Sequence, residues 1–151
     1  IFGVEDSLVS TVGLLSGVAV AGAPRETILL TGVVLIFVEA FSMAAGSFLS
    51  ESSAEEYSEK SSGISQKSLF ASVIMFFSYF LSGFIPLAPY LILSPDSAFW
   101  VSVVSSLIAL GILGVVSGVI LKGRLVRHAL RMTVVGGIAI CVGIVAGMLV
   151  G

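Results

Sequence analysis

The sequence is short of charge. Lys and Arg number seven and Asp and Glu nine in 151 residues, so charged side chains make up 11% of the chain. A soluble domain carries about a quarter. No basic stripe exists to hold nucleic acid, and a net charge of −2 says little about partners. Cysteine is nearly absent, and Cys141 alone excludes an intrachain disulfide. Neither Cys141 nor the single histidine, His128, has a ligand-type partner near it in sequence. There is no Ser–His–Asp set, CxxC pair, HExxH or glycine-rich phosphate loop, so an enzyme and a tightly bound cofactor are not expected. The chain opens on Ile1 rather than Met, so residues are expected ahead of it. It shows no basic n-region with a small-residue cleavage site, so its first apolar run does not read as a signal peptide.

What is present is apolar: 57% of residues are hydrophobic and mean hydropathy is +1.16. The charges are bunched. They leave uncharged runs at Ser7–Pro24, Thr27–Val38, Ala40–Ser50, Ser68–Pro95, Ser97–Leu121 and Met132–Gly151. A helix crossing hydrocarbon needs about 20 mostly apolar residues. Four runs reach or approach that length, and the two short ones join across Glu39 into a 24-residue span. The pattern predicts an all-α integral membrane protein, a single transmembrane domain over residues 1–151 with five helices. They are expected near 4–23, 27–50 with a cytoplasmic extension to about 60, 68–93, 97–121 and 129–150.

Positive charge predicts the topology. Lys60 and Lys67 lie between helices 2 and 3, and Lys122, Arg124, Arg127 and Arg131 between helices 4 and 5. Only Arg25 lies between helices 1 and 2. The N-terminus is therefore expected to be cytoplasmic and the C-terminus on the far side. Gly22-Ala23-Pro24 and Ser94-Pro95-Asp96-Ser97 read as turns, with Asp96 or Ser97 as a helix cap. Ser61-Ser62-Gly63 breaks the segment after helix 2. Pro86 and Pro89 read either as a kink in helix 3 or as its end near Ile85. Gly13 and Gly17, and Gly143, Gly147 and Gly151, are spaced by four. Such faces let helix backbones approach closely, within one subunit or across a dimer.

Glu39 is the informative residue. It sits halfway along an apolar span, where a charged group costs on the order of 3 kcal/mol and is functional by default. A carboxylate without a partner there takes up a proton, which suits a group that exchanges a proton for a cation. Met43 follows one turn on, and its thioether is a soft donor suited to later first-row metals. Alone it reads as core packing. Gly46 and Ser47 continue that side and leave room for an ion. Asp6, with Ser10 one turn deeper, reads either as a second station on a path shared with Glu39 or as a helix N-terminal acid. Glu51, Glu55 and Glu59 share a face, either as an acidic collar at a cytosolic entrance or as a solvated helix end with Glu56.

Asp6 through Gly17 reads D-S-L-V-S-T-V-G-L-L-S-G, and Glu39 through Gly46 reads E-A-F-S-M-A-A-G. Both resemble the paired signatures of the vacuolar iron transporter family. Ile85-Pro86-Leu87-Ala88-Pro89 is similar to the family's third helix, and Leu130-Arg131-Met132 with Gly136-Gly137 to its fifth. The resemblance implies a homodimer of five-helix subunits in a prokaryotic cell membrane or a vacuolar-type membrane. It would export ferrous iron, or manganese, from the cytosol in exchange for protons. By the same resemblance Asp6, Glu39 and Met43 line the metal path.

The chain departs from the pattern at three places. Ser7 stands where the family usually has glycine, and Leu35 stands where some members carry the helix 2 carboxylate. The stretch between helices 2 and 3, about Glu51 to Lys67, is too short for the glutamate-rich metal-binding domain of many members. Metal capture by such a domain is not expected, and Glu51, Glu55, Glu56 and Glu59 would be its stub. The competing function is a proton antiporter for small organic cations, working through Glu39.

Overall fold

The computed structural model describes residues 1–59, 66–122 and 124–151. They form five helices and no strand: α1 (Phe2–Val20), α2 (Arg25–Glu59), α3 (Gln66–Ile92), α4 (Pro95–Ile120) and α5 (Leu125–Val150). All five are long and apolar enough to cross a membrane. The protein is a multi-pass integral membrane protein. At 35 residues, α2 is about 50 Å long, well beyond the roughly 30 Å of hydrocarbon. Lys60 and the break at Ser61-Ser62-Gly63 lie outside the described residues.

The turns follow from local chemistry. Gly22 takes a φ of 77°, a left-handed conformation that costs glycine nothing. Its amide donates to the Ala19 carbonyl at 3.0 Å, and that of Ala23 to Val18 at 3.3 Å. These are the two bonds of a Schellman helix stop, and they let α2 start at Arg25. At the other end of the loop pair, Ser94 is the N-cap of α4 and Pro95 its first residue. This corrects the expected cap. Proline's fixed φ and missing N–H suit the first helical position, so Asp96 and Ser97 fall inside the first turn.

Of the two readings of Pro86 and Pro89, the structure takes the continuous helix: α3 runs through both to Ile92, close to the expected 68–93, while the start of α5 differs from expectation. Each proline frees the carbonyl four residues before it, here Ser82 and Ile85, and side chains of neighbouring helices bond the carbonyls that follow. Ser102 Oγ of α4 donates to the Pro86 carbonyl at 2.6 Å. Arg25 Nε donates to the Tyr90 carbonyl at 2.7 Å and its Nη2 to the Leu91 carbonyl. α5 starts at Leu125, so Arg127, His128 and Arg131 are helical. Long basic side chains reach an interface from inside a helix.

α1 is the centre of the bundle and touches all four other helices. Its packing on α5 is backbone on backbone. A Cβ built on Gly17 would stand 2.5 Å from the Gly143 carbonyl oxygen, and one on Gly143 would fall on that of Gly13. The glycine faces are thus used inside the subunit. Lipid is as apolar as leucine, so helices associate through such close approach and not through expulsion from water. On the other side of α1, Leu15, Ile28, Ile36, Leu87, Tyr90 and Ala98 form the main apolar core, joining α1 to α2, α3 and α4.

Candidate functional site

α1 and α2 run antiparallel from the Gly22 turn, and two close contacts set their register. A Cβ on Gly32 of α2 would meet Leu15 of α1 at 3.0 Å. One on Gly83 of α3 would meet Ile36 of α2 at 2.7 Å and Ser7 Oγ of α1 at 3.0 Å. Numbers fall along α1 as they rise along α2, so Asp6 comes level with Glu39. Each stands about 15 residues from the turn, or roughly 22 Å along its helix.

Both carboxylates lie within electrostatic reach of one group, the Tyr79 hydroxyl. Tyr79 is fully buried and sits halfway along α3. Its hydroxyl is 2.6 Å from Ser10 Oγ. Ser7 Oγ donates to the Tyr79 carbonyl at 2.7 Å, and Ser82 Oγ to the same oxygen at 3.2 Å. Gly83 has no side chain to keep Ser7 and Ile36 apart. Beside them the buried Thr11 Oγ1 also acts on the Tyr79 hydroxyl. The site is therefore a polar cluster at the meeting of three helices, with hydroxyls from α1 and α3 and one carboxylate each from α1 and α2.

Asp6 and Glu39 are half-buried. Neither has an ion-pair or hydrogen-bond partner among the described residues. Intramembrane charges normally pair with one another or with backbone; two uncompensated carboxylates leave this pocket favourable to a cation. Met43 is half-buried one turn beyond Glu39, and a Cβ on Gly46 would meet nothing within 4 Å. Oxygen donors with one thioether suit a divalent first-row metal. The described residues hold no group of three or more His, Cys, Asp or Glu able to grip an ion.

The model of the VIT family matches residues 1–69 and 56–148. The chain belongs to the VIT family. It is accordingly a membrane transporter of metal ions, and the resemblance carried by Asp6–Gly17 and Glu39–Gly46 holds over almost the whole chain. The two matched stretches overlap at 56–69, across the link between α2 and α3. No curated protein matches the chain.

In this VIT-family chain the structure sorts the residues singled out from sequence. It brings Asp6 and Glu39 to a similar depth, with Met43 one turn away. Glu51 stands apart from them. Its Oε1 is 2.8 Å from Lys67 Nζ, a pair that ties the end of α2 to the start of α3. The side chains of Glu55, Glu56 and Glu59 lie outside the described residues. Tyr79 was not singled out from sequence, although a signal existed. Tyrosine in a membrane helix belongs at the interface, and this one is 13 residues from either end of α3.

Proposed function

We propose that this protein exports divalent transition metal from the cytosol in exchange for protons, with ferrous iron the first substrate and manganese the second. The observation that carries the reading is the pair of uncompensated carboxylates, Asp6 and Glu39, level with each other inside the bundle beside Tyr79. A metal ion displaces protons from such a pair, and protons arriving from the far side release it. Asp6, Glu39 and Met43 form the metal path, and Glu51, Glu55 and Glu59 draw cations to its cytosolic entrance. The ends of the helices bearing Lys67, Lys122, Arg124, Arg127 and Arg131 gather on one side, which supports a cytosolic N-terminus.

The working unit is a homodimer. One chain supplies only two carboxylates and one thioether to the pocket, and a second copy doubles the ligands. α2 offers a broad apolar face for it through Leu30, Val34, Val38 and Phe41, each at least half exposed. Organic-cation sites are lined by aromatic rings. Here Phe37 of α2 joins the ladder of Phe76, Phe80 and Phe84 on α3, about 200° around the helix from Glu39, which favours metal.

The test is ferrous iron uptake into proteoliposomes under an imposed pH gradient, wild type against Glu39→Gln. Uptake that follows the gradient and disappears in the variant, with the dimer intact, is the expected result. Undiminished uptake by the variant would remove Glu39 from the mechanism. Failure of the wild type with both iron and manganese would remove the exchange itself.

A further inference from the structure

The basic end of α5 carries a feature that metal transport does not use. A cavity of about 420 Å³ opens between the start of α1, the end of α4 and the first turns of α5. Its polar lining is Glu5, Ser117, His128 and Arg131; its apolar floor includes Phe2, Leu121, Met132 and Val135. Arg131 lies six residues inside α5, about 9 Å along the axis, deeper than an arginine that merely marks the helix end. Its side chain is exposed and long enough to reach the headgroup region from there.

The described residues offer it no ion pair. None of Lys122, Arg124, Arg127 and Arg131 has an acidic partner or a hydrogen bond from its side chain. Glu5 and Arg131 balance formally in the lining, and Lys122, Arg124 and Arg127, in the adjoining loop and first turn of α5, make this end of the molecule positive. A partner that fits must bring negative charge to Arg131 and His128 and apolar length to the floor. Anionic phospholipid has both, and basic clusters flanking membrane helices select for it. We propose that this cavity binds an anionic phospholipid, its phosphodiester held by Arg131 and His128 and the start of an acyl chain against Leu121 and Val135. Zwitterionic lipid carries its own ammonium to the same basic rim and is disfavoured. This site is independent of the metal pocket and of the proposed transport.

The experiment uses the full chain in mixed micelles containing equimolar phosphatidylglycerol and phosphatidylcholine with the same acyl chains, and counts co-purifying lipid by mass spectrometry. Wild type is expected to retain about fivefold more phosphatidylglycerol. Arg131→Gln should erase the preference, and so should Val135→Phe, which keeps every charge and fills the floor. Arg127→Gln removes an equal charge outside the cavity and should leave most of it. Inorganic phosphate at millimolar concentration should not displace the lipid. Equal retention of both lipids overturns the proposal. So does an equal loss with Arg127→Gln, which would mean a diffuse basic collar. Displacement by inorganic phosphate overturns it as well, because the site would then be an anion site without a lipid floor.

Discussion

Ser10 Oγ and the Tyr79 hydroxyl stand 2.6 Å apart, joining α1 to α3 deep inside the bundle. In hydrocarbon neither group has water to turn to, so the bond fixes both the height of α3 against α1 and the direction of the phenol. That direction brings the hydroxyl within electrostatic reach of Asp6 and Glu39. The proposed metal site thus depends on a contact between two uncharged residues.

Removing that contact should be measurable in two ways. Tyr79→Phe keeps the ring and loses the hydroxyl. In a double-mutant cycle with Ser10→Ala, thermal unfolding in detergent should give a coupling of about 0.5–1.5 kcal/mol. Ferrous iron uptake should fall more than that stability loss explains, because the hydroxyl is also within electrostatic reach of the carboxylates. Zero coupling would mean that the two hydroxyls do not bond.

Gly143 and Gly137 should respond oppositely to the same substitution. Gly143→Ala drives a methyl into the Gly13 carbonyl, while a Cβ on Gly137 meets nothing within 4 Å. Overpacking of this kind costs about 1–3 kcal/mol or more. The expected result is loss of monodisperse protein for Gly143→Ala and unchanged yield for Gly137→Ala. Equal yields would contradict the backbone contact between α1 and α5.

Met43→Leu conserves volume, so stability should change by less than about 1.5 kcal/mol. The thioether is the one soft donor in the pocket. Uptake assays with both metals should therefore show the variant losing ferrous iron transport more than manganese transport. A parallel loss of both would assign Met43 to packing.

The Glu51–Lys67 pair lies at the surface, with side chains 35% and 74% exposed. Exposed pairs are worth about 0–1 kcal/mol. Lys67→Gln should leave thermal stability within about 1 kcal/mol and should raise uptake at low metal concentration by freeing Glu51 for the entrance. Unchanged uptake would remove Glu51 from the path.

Five spans were legible without any structure, because the length of an uncharged run is a property of the chain alone and hydrocarbon sets the length required. Glu39 stood out for the same reason: a carboxylate within a 24-residue apolar span has no bland explanation. Boundaries were less readable. The prolines of α3 left a kink and an end equally open, and the helix continues through both; α5 begins at Leu125 among basic residues, where the interface and not the local sequence decides the start.

Hydropathy could not say which apolar face meets protein and which meets lipid, since the two surroundings are equally apolar. Gly13 and Gly143 had the same spacing signature whether they met within one subunit or across two, and only the packed bundle places them against each other. Interhelical register likewise brought Asp6 and Glu39 within electrostatic reach of the Tyr79 hydroxyl. Sequence determined that a carboxylate would lie in the membrane. The tertiary structure decided what stands beside it, because that is a matter of how three helices are stacked in height and rotation, a quantity that no single helix contains.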